Sequence, residues 1–270
     1  MNKWTKGILA LGASLLLAAC GQESTTVKLG VVGDDTSNWD HAQEVLADEN
    51  IDLEFVKFTD YSQPNSALAE GEIDLNAFQH QVFLENYNKE AGTDLVSIGN
   101  TVIVPLGLYS NQVDSPEEIK DGDTIAIPND VTNGGRALLV LQAAGLIEVD
   151  PDKGITPTVS DITKYNVDIE IKELDASQTA RALNDVTASI INSGVAVDAG
   201  LNPSEDPIFF EPVDENAKPY ANIIAARKED EDNETYNKVV DAFQTDETAQ
   251  VIKEESNGAD LPAWELFGRK

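Results

Sequence analysis

Cysteine is nearly absent: Cys20 is the only one in 270 residues. No internal disulfide can form, so the fold must rest on a packed core. Histidine is almost as scarce, with His41 and His80 alone. A zinc site built on these two residue types usually takes three or four ligands, and no histidine pair sits at i, i+4, so transition-metal capture is disfavoured. Also missing are a G-x-S-x-G elbow, a Walker loop and a G-x-G-x-x-G turn after a strand. Acidic pairs such as Asp34-Asp35 and Glu117-Glu118 are plentiful, but 49 acids make such pairs expected by chance. They give little support to hydrolysis by paired carboxylates. Basic residues are short as well, 18 against those 49 acids, for a formal charge of −31. That field repels nucleic acid and anionic lipid headgroups. It leaves the ligand open.

Apolar runs are short too. Ile8 to Ala19, broken only by Gly12 and Ser14, follows the basic Lys3 and Lys6 and ends in Leu17-Ala18-Ala19-Cys20. A spanning helix needs about 20 apolar residues, so this run is an export signal. The leucine, two small residues and cysteine resemble a bacterial lipobox. That resemblance implies cleavage before Cys20, a diacylglycerol on its thiol and a membrane contact through lipid only. Removing residues 1–19 takes two of the 18 basic side chains and no acids, leaving 16 against 49 and a charge of −33. Gly21 after the cysteine, together with the acidity, points to a Gram-positive cell surface. Hydrophobic residues make up 41% of the chain and spread evenly along it. The chain is therefore folded, with length for two lobes.

Residues 20–26 form a polar tether, and the fold is expected from Val27. Strand and helix patterns then alternate: strand 27–33, helix Asp40–Asn50, strand Leu53–Phe58, helix Pro64–Glu70, strand Ile73–Ala77, helix Gln79–Glu90. Leu95 to Tyr109 is extended, carries Pro105 and is too long for one strand, which suggests a crossing between lobes. A second alternation follows: strand Thr124–Ile127, helix Gly134–Ala144, strand Val167–Glu173, helix Ser177–Leu183, strand Ala188–Ile191. Strand Asn222–Ala226 returns the chain, and helices Glu234–Phe243 and Glu247–Glu255 close it. The expected fold class is α/β, with two lobes joined by two crossings around a cleft. The boundaries are 27–107 plus 224–270 for the first lobe and 108–223 for the second. No period of 20 to 50 residues indicates a solenoid.

The most informative stretch is Asn129-Asp130-Val131-Thr132-Asn133-Gly134-Gly135-Arg136, between a strand and an apolar helix. It puts Arg136 near a helix N-terminus, where acids are preferred and anions bind. A guanidinium there can grip a ligand carboxylate with two bonds; the alternative is an arginine paired with the surplus acids. Asp60-Tyr61, Asn76 to Phe83 and Tyr220-Ala221-Asn222 add aromatic and amide groups at strand ends, where α/β folds place binding groups. Phe78 and Phe83 taken singly are also ordinary core residues, and His80 an ordinary structural histidine.

These residues resemble the methionine-binding lipoprotein family, the substrate-capturing component of methionine ABC importers. The marks are Tyr61-Ser62-Gln63-Pro64-Asn65, Asp74-Leu75-Asn76-Ala77-Phe78-Gln79-His80, Ile98-Gly99-Asn100-Thr101, Ile127 to Asp130 with Asn133 to Leu139, Ala180-Arg181-Ala182-Leu183 and Ala199-Gly200-Leu201-Asn202-Pro203. The resemblance implies a type II binding-protein fold, with no catalytic step and no cofactor. It implies that Arg136 holds an amino acid carboxylate, that Asn192 and Asn222 are polar partners, and that Tyr61, Phe78, His80 and Phe83 surround the side chain. It implies as partners an ABC permease and its cytoplasmic ATPase. Phe83 stands where the family often has tyrosine, and Ser193-Gly194-Val195 where many members have asparagine and an aromatic. D-methionine, a methionine-containing dipeptide or another small apolar amino acid therefore stand beside methionine as ligands. A hydrolase or an adhesin is the remote alternative: no acid, base and nucleophile set can be named, and no repeats suggest adhesion.

Overall fold

In the computed structural model the described residues are 24–270 apart from 214, 257 and 259, with the side chains of 215 and 216 also left aside. Cys20 and the signal at 1–19 lie outside them. Two five-stranded sheets form the frame. In the first, Thr25–Val32 pairs in parallel with Ile51–Phe58 along its whole length and with Leu75–Asn76 on its other side. Ile223–Ala226 then runs antiparallel between Leu75–Asn76 and Val96–Asn100. Val27, Leu29 and Val31 alternate inward and pack with Trp39, Leu46, Val240 and Phe243, from the helices on one face. The opposite face is covered by Ala67, Leu68 and Leu84. Strand begins at Thr25, two residues ahead of Val27, because Thr25 N–H bonds to the Asn50 carbonyl at 2.9 Å.

The second sheet repeats the plan. Glu170–Leu174, Thr124–Pro128 and Ala188–Ile191 are parallel neighbours, and Gly107–Tyr109 and Phe209–Phe210 continue the sheet antiparallel. Its core gathers Leu108, Ile125, Ile127, Leu138, Leu141 and Ile190. An added ribbon, Ile147–Val149 with Ile162–Tyr165, has no counterpart in the expected element order. Neither does the short helix Ser193–Asp198.

Leu95 to Tyr109 divides into Val96–Asn100, Val102–Ile103 and Gly107–Tyr109, each in a different sheet. Pro105 cannot donate to a ladder. The outgoing crossing is paired instead with the return: Thr101 N–H bonds to the Asn222 carbonyl and Asn222 N–H to the Val102 carbonyl, each at 2.7 Å. Leu261–Pro262 also pairs with Val102–Ile103. The two passages thus meet at the floor of the cleft between the sheets.

Candidate functional site

The first sheet supplies rings. Beyond the strand Ile51–Phe58, the Asp60 carboxylate accepts bonds from Ser62 N–H and Oγ at 2.8 and 2.5 Å. These bonds hold the Asp60 carboxyl below its ordinary range and fix the turn that carries Tyr61. A buried knot of three amides ties that turn to the next strand end. Asn65 donates to Gln79 Oε1 at 2.8 Å, Gln79 donates to Asn65 and Asn76 at 2.6 and 2.8 Å, and Asn76 donates to Asn65 at 2.9 Å. Buried amides cost free energy unless bonded, and here each bonds to the others. Tyr61, Phe78 and Phe83 are thereby gathered with ring centroids 5.8–6.2 Å apart, the spacing of favourable aromatic pairs.

His80, beyond the strand Leu75–Asn76, caps the helix Gln81–Ala91, its Nδ1 accepting Phe83 N–H at 3.1 Å. The ring proton must then sit on Nε2, which is buried without a partner. Burial, reinforced by the Arg136 charge, lowers the His80 pKa to about 3. At neutral pH it is an uncharged donor.

The second sheet supplies polar groups. Asp130 caps the helix Val131–Ala143. Its carboxylate takes Asn133 N–H and both of its contacts with Asn133 Nδ2, at 2.9–3.1 Å. With its NH2 so engaged, Asn133 turns Oδ1 to Asn192 Nδ2 at 2.9 Å. This relay fixes the Asn192 amide, leaving its Oδ1 buried with no partner. Arg136 is 4% exposed. Its Nε and Nη2 bond to Glu211, Nη2 bonds to the Val104 carbonyl at 2.8 Å, and Nη1 makes no bond among the described residues. The guanidinium lies 4.4 Å from the Tyr220 ring centroid, a cation–π distance, and His80 meets the same ring at 5.4 Å.

Of these groups, Tyr61, Phe78, His80, Phe83, Asn133, Arg136 and Asn192 wall one cavity of ≈ 250 Å³. That is below the about 300–1,000 Å³ of pockets for drug-sized molecules, and suits a ligand of amino acid size. A family model described as NlpA lipoprotein matches residues 27–264. The chain belongs to the NlpA lipoprotein family. It is 40% identical over 262 residues to the D-methionine-binding lipoprotein MetQ of Escherichia coli K12, spanning 94% of this chain and 96% of that one. It matches the crystal structure of the substrate-binding protein of a methionine transporter from Streptococcus pneumoniae at 44% identity and TM-score 0.83, covering 88% and 96% of the two chains. A nutrient-binding protein from Burkholderia cenocepacia bound to methionine matches at 38% identity and TM-score 0.82, over 87% and 99%. No helix among the described residues of this NlpA lipoprotein is long and apolar enough to cross a membrane.

Within the NlpA frame, Tyr61, Phe78, His80, Phe83, Arg136, Asn192 and Asn222 all line the one cavity. Two details of the sequence reading need correction. The helix starts at Val131, so Arg136 stands in its second turn and not at its N-terminus. Asp130 is the cap that begins the helix early, and Gly134 and Gly135 lie inside it for packing reasons. A Cβ at Gly135 would come within 2.7 Å of Thr156 Cα, and one at Gly134 within 2.8 Å of the Pro128 carbonyl oxygen. The two-bond edge of Arg136 is also taken, by Glu211, which leaves Nη1 as the uncommitted nitrogen of a residue that lines the cavity. Glu211, Asn133 and Tyr220 went unrecognised as site residues. Tyr220 lay in a stretch marked for its aromatic group; Glu211 carries no local signal, since it reaches Arg136 across 75 positions.

Proposed function

We propose that this NlpA lipoprotein captures methionine outside the cell, tethered by lipid on Cys20, and hands it to an ABC permease driven by a cytoplasmic ATPase. The observation that carries this reading is a pair of buried polar atoms left unpaired beside the ring box, His80 Nε2 and Asn192 Oδ1, together with the uncommitted Nη1 of Arg136. Asn192 Oδ1 is an acceptor for an ammonium, and His80 Nε2 and Arg136 Nη1 are donors for a carboxylate. Between them they complement the backbone of a free amino acid. The three rings Tyr61, Phe78 and Phe83 suit a thioether, since sulfur–aromatic contacts contribute about 0.3–1.5 kcal/mol. Methionine binding named for the relatives supports the same ligand. Asn222 completes the polar edge, a reading supported by its backbone bridge to His80. The two lobes, 27–107 with 224–270 and 108–223, close on the ligand, and no bond in it is made or broken. Gly21 and the acidic surface favour a Gram-positive cell surface.

A longer ligand, a methionine-containing dipeptide, is favoured by one further observation. A second cavity of ≈ 480 Å³ shares Val32, Tyr61, Gly194 and Asp198 with the first. A Cβ at Gly194 would meet nothing within 4 Å, so the wall is thin there. Mass spectrometry of ligand extracted from freshly purified protein distinguishes the two. Calorimetry on refolded protein with L- and D-methionine and methionine dipeptides then checks the match. Absence of heat with all of them overturns the methionine reading.

A further inference from the structure

A guanidinium offers five N–H donors, and Arg136 has committed three of them behind the cavity. Nε and Nη2 fork onto Glu211, with Nε to Oε1 at 2.8 Å, and the second Nη2 donor goes to the Val104 carbonyl. Glu211 is fixed in turn by Leu106 N–H on Oε2 at 3.0 Å. The pair is shut away from water, with side-chain exposures of 4% and 12%. Glu211 does not line the cavity, whereas Arg136 does. The positive charge facing the ligand is therefore already balanced from behind. No other lysine or arginine is among the described residues on the cavity wall, and Asp35, Asp198 and Asp260 are.

A lone anion entering this cavity would bring a negative charge that nothing cancels, in surroundings where charge is weakly screened. A zwitterion brings its own cation, and Asn192 Oδ1 waits for it. We infer that Glu211 is a specificity and positioning residue: by neutralising Arg136 and aiming Nη1 into the cavity, it makes the site select zwitterionic amino acids over the matching 2-hydroxy acids. This rests on the amino acid reading above and adds to it the charge state of the ligand.

The test compares L-methionine with 2-hydroxy-4-(methylthio)butanoate, which keeps the carboxylate and thioether and replaces the ammonium with a neutral donor. Titration calorimetry is run on the full chain in detergent as wild type, Glu211→Gln and Glu211→Asp. The wild type is expected to prefer methionine by about 100-fold, the scale of a hydrogen bond to a charged group. Glu211→Gln leaves Arg136 uncancelled and should narrow that preference about tenfold or more, whatever it does to affinity for either compound. Glu211→Asp retains the charge and should retain the preference. An equal loss for both ligands in Glu211→Gln would mean a merely structural role and overturns the inference. So does a wild type that binds the hydroxy acid within about threefold of methionine, a result that needs no variant to fold. A wild type that binds no amino acid overturns the ligand reading together with this one, whereas binding with an unmoved preference overturns this one alone.

Discussion

The two sheets share a strand order and present opposite chemistry to the cleft. Ends of the first sheet's parallel strands carry Tyr61, Phe78 and His80, with Phe83 one turn on. Ends of the second sheet's parallel strands carry the Asn133–Arg136 helix and Asn192. The shared topology fixes where a site forms, at the carboxyl ends of strands. The residues just beyond those ends decide what it binds. The halves also differ in how they are held. The apolar half rests on contacts of modest worth each, held by a knot of amides bonded to one another. The polar half is a chain of bonds in which every member orients the next, from Asp130 through Asn133 to Asn192.

That difference sets the order of expected losses. Arg136→Ala should weaken methionine binding by about 100-fold or more, since truncating one member of a buried charge pair costs about 2–5 kcal/mol. Circular dichroism must accompany the calorimetry, because Glu211 is left buried and unpaired. Asn192→Ala should cost about 10–100-fold, one hydrogen bond to an ammonium, with a small loss of thermal stability because Asn133 Oδ1 loses its bond from Asn192 Nδ2. A loss under threefold there would place the ammonium elsewhere. On the apolar side, Phe78→Leu keeps the burial and removes a ring. Methionine affinity should fall about 2–10-fold, the worth of a sulfur–aromatic contact, and norleucine, with methylene in place of sulfur, should barely change. Equal losses for both ligands would reduce the box to simple packing.

The apolar half was the more legible in sequence. Rings within a few positions of a strand end mark a cleft wall because chain direction alone puts them there, and Tyr61, Phe78 and Phe83 all reach it. The alternation of strand and helix likewise exposed both sheets, since apolar spacing reports which face of an element is buried. Arg136 showed as an odd cation beside a helix start, but its orientation depended on Glu211, 75 residues away. No local pattern carries a pairing of that span. The same holds for Asn133, whose role follows only from the relay that Asp130 begins. The ribbon Ile147–Val149 with Ile162–Tyr165 was lost for another reason: its second strand is mostly exposed, so no apolar period announces it.

The last expected effect is on stability and not on binding, and concerns the cavity lining, where one acid and one histidine respond to pH in opposite senses. Asp260 lines the cavity just before Leu261–Pro262, which pairs with the crossing strand. Burial alone pushes its pKa up to about 7, against about 3.9 in an unfolded chain. Between those values the folded state holds the proton more firmly, so this group's contribution to stability is present below about pH 4 and is lost as pH rises toward 7. His80 runs the other way. Its pKa of about 3 in the fold, against about 6.5 unfolded, means that stability is lost as pH falls from about 6.5 toward 3. In the wild type the two slopes oppose each other across the shared window. Asp260→Asn mimics the protonated acid at every pH and removes one of them. Its thermal midpoint should exceed that of the wild type at pH 8 by on the order of 5 °C, each kcal/mol being worth about 2–4 °C at this size. The gap should close near pH 4, leaving a variant whose stability climbs with pH on account of His80. Equal midpoints at pH 8 would show that the Asp260 carboxylate is solvated and contributes nothing to the pH profile.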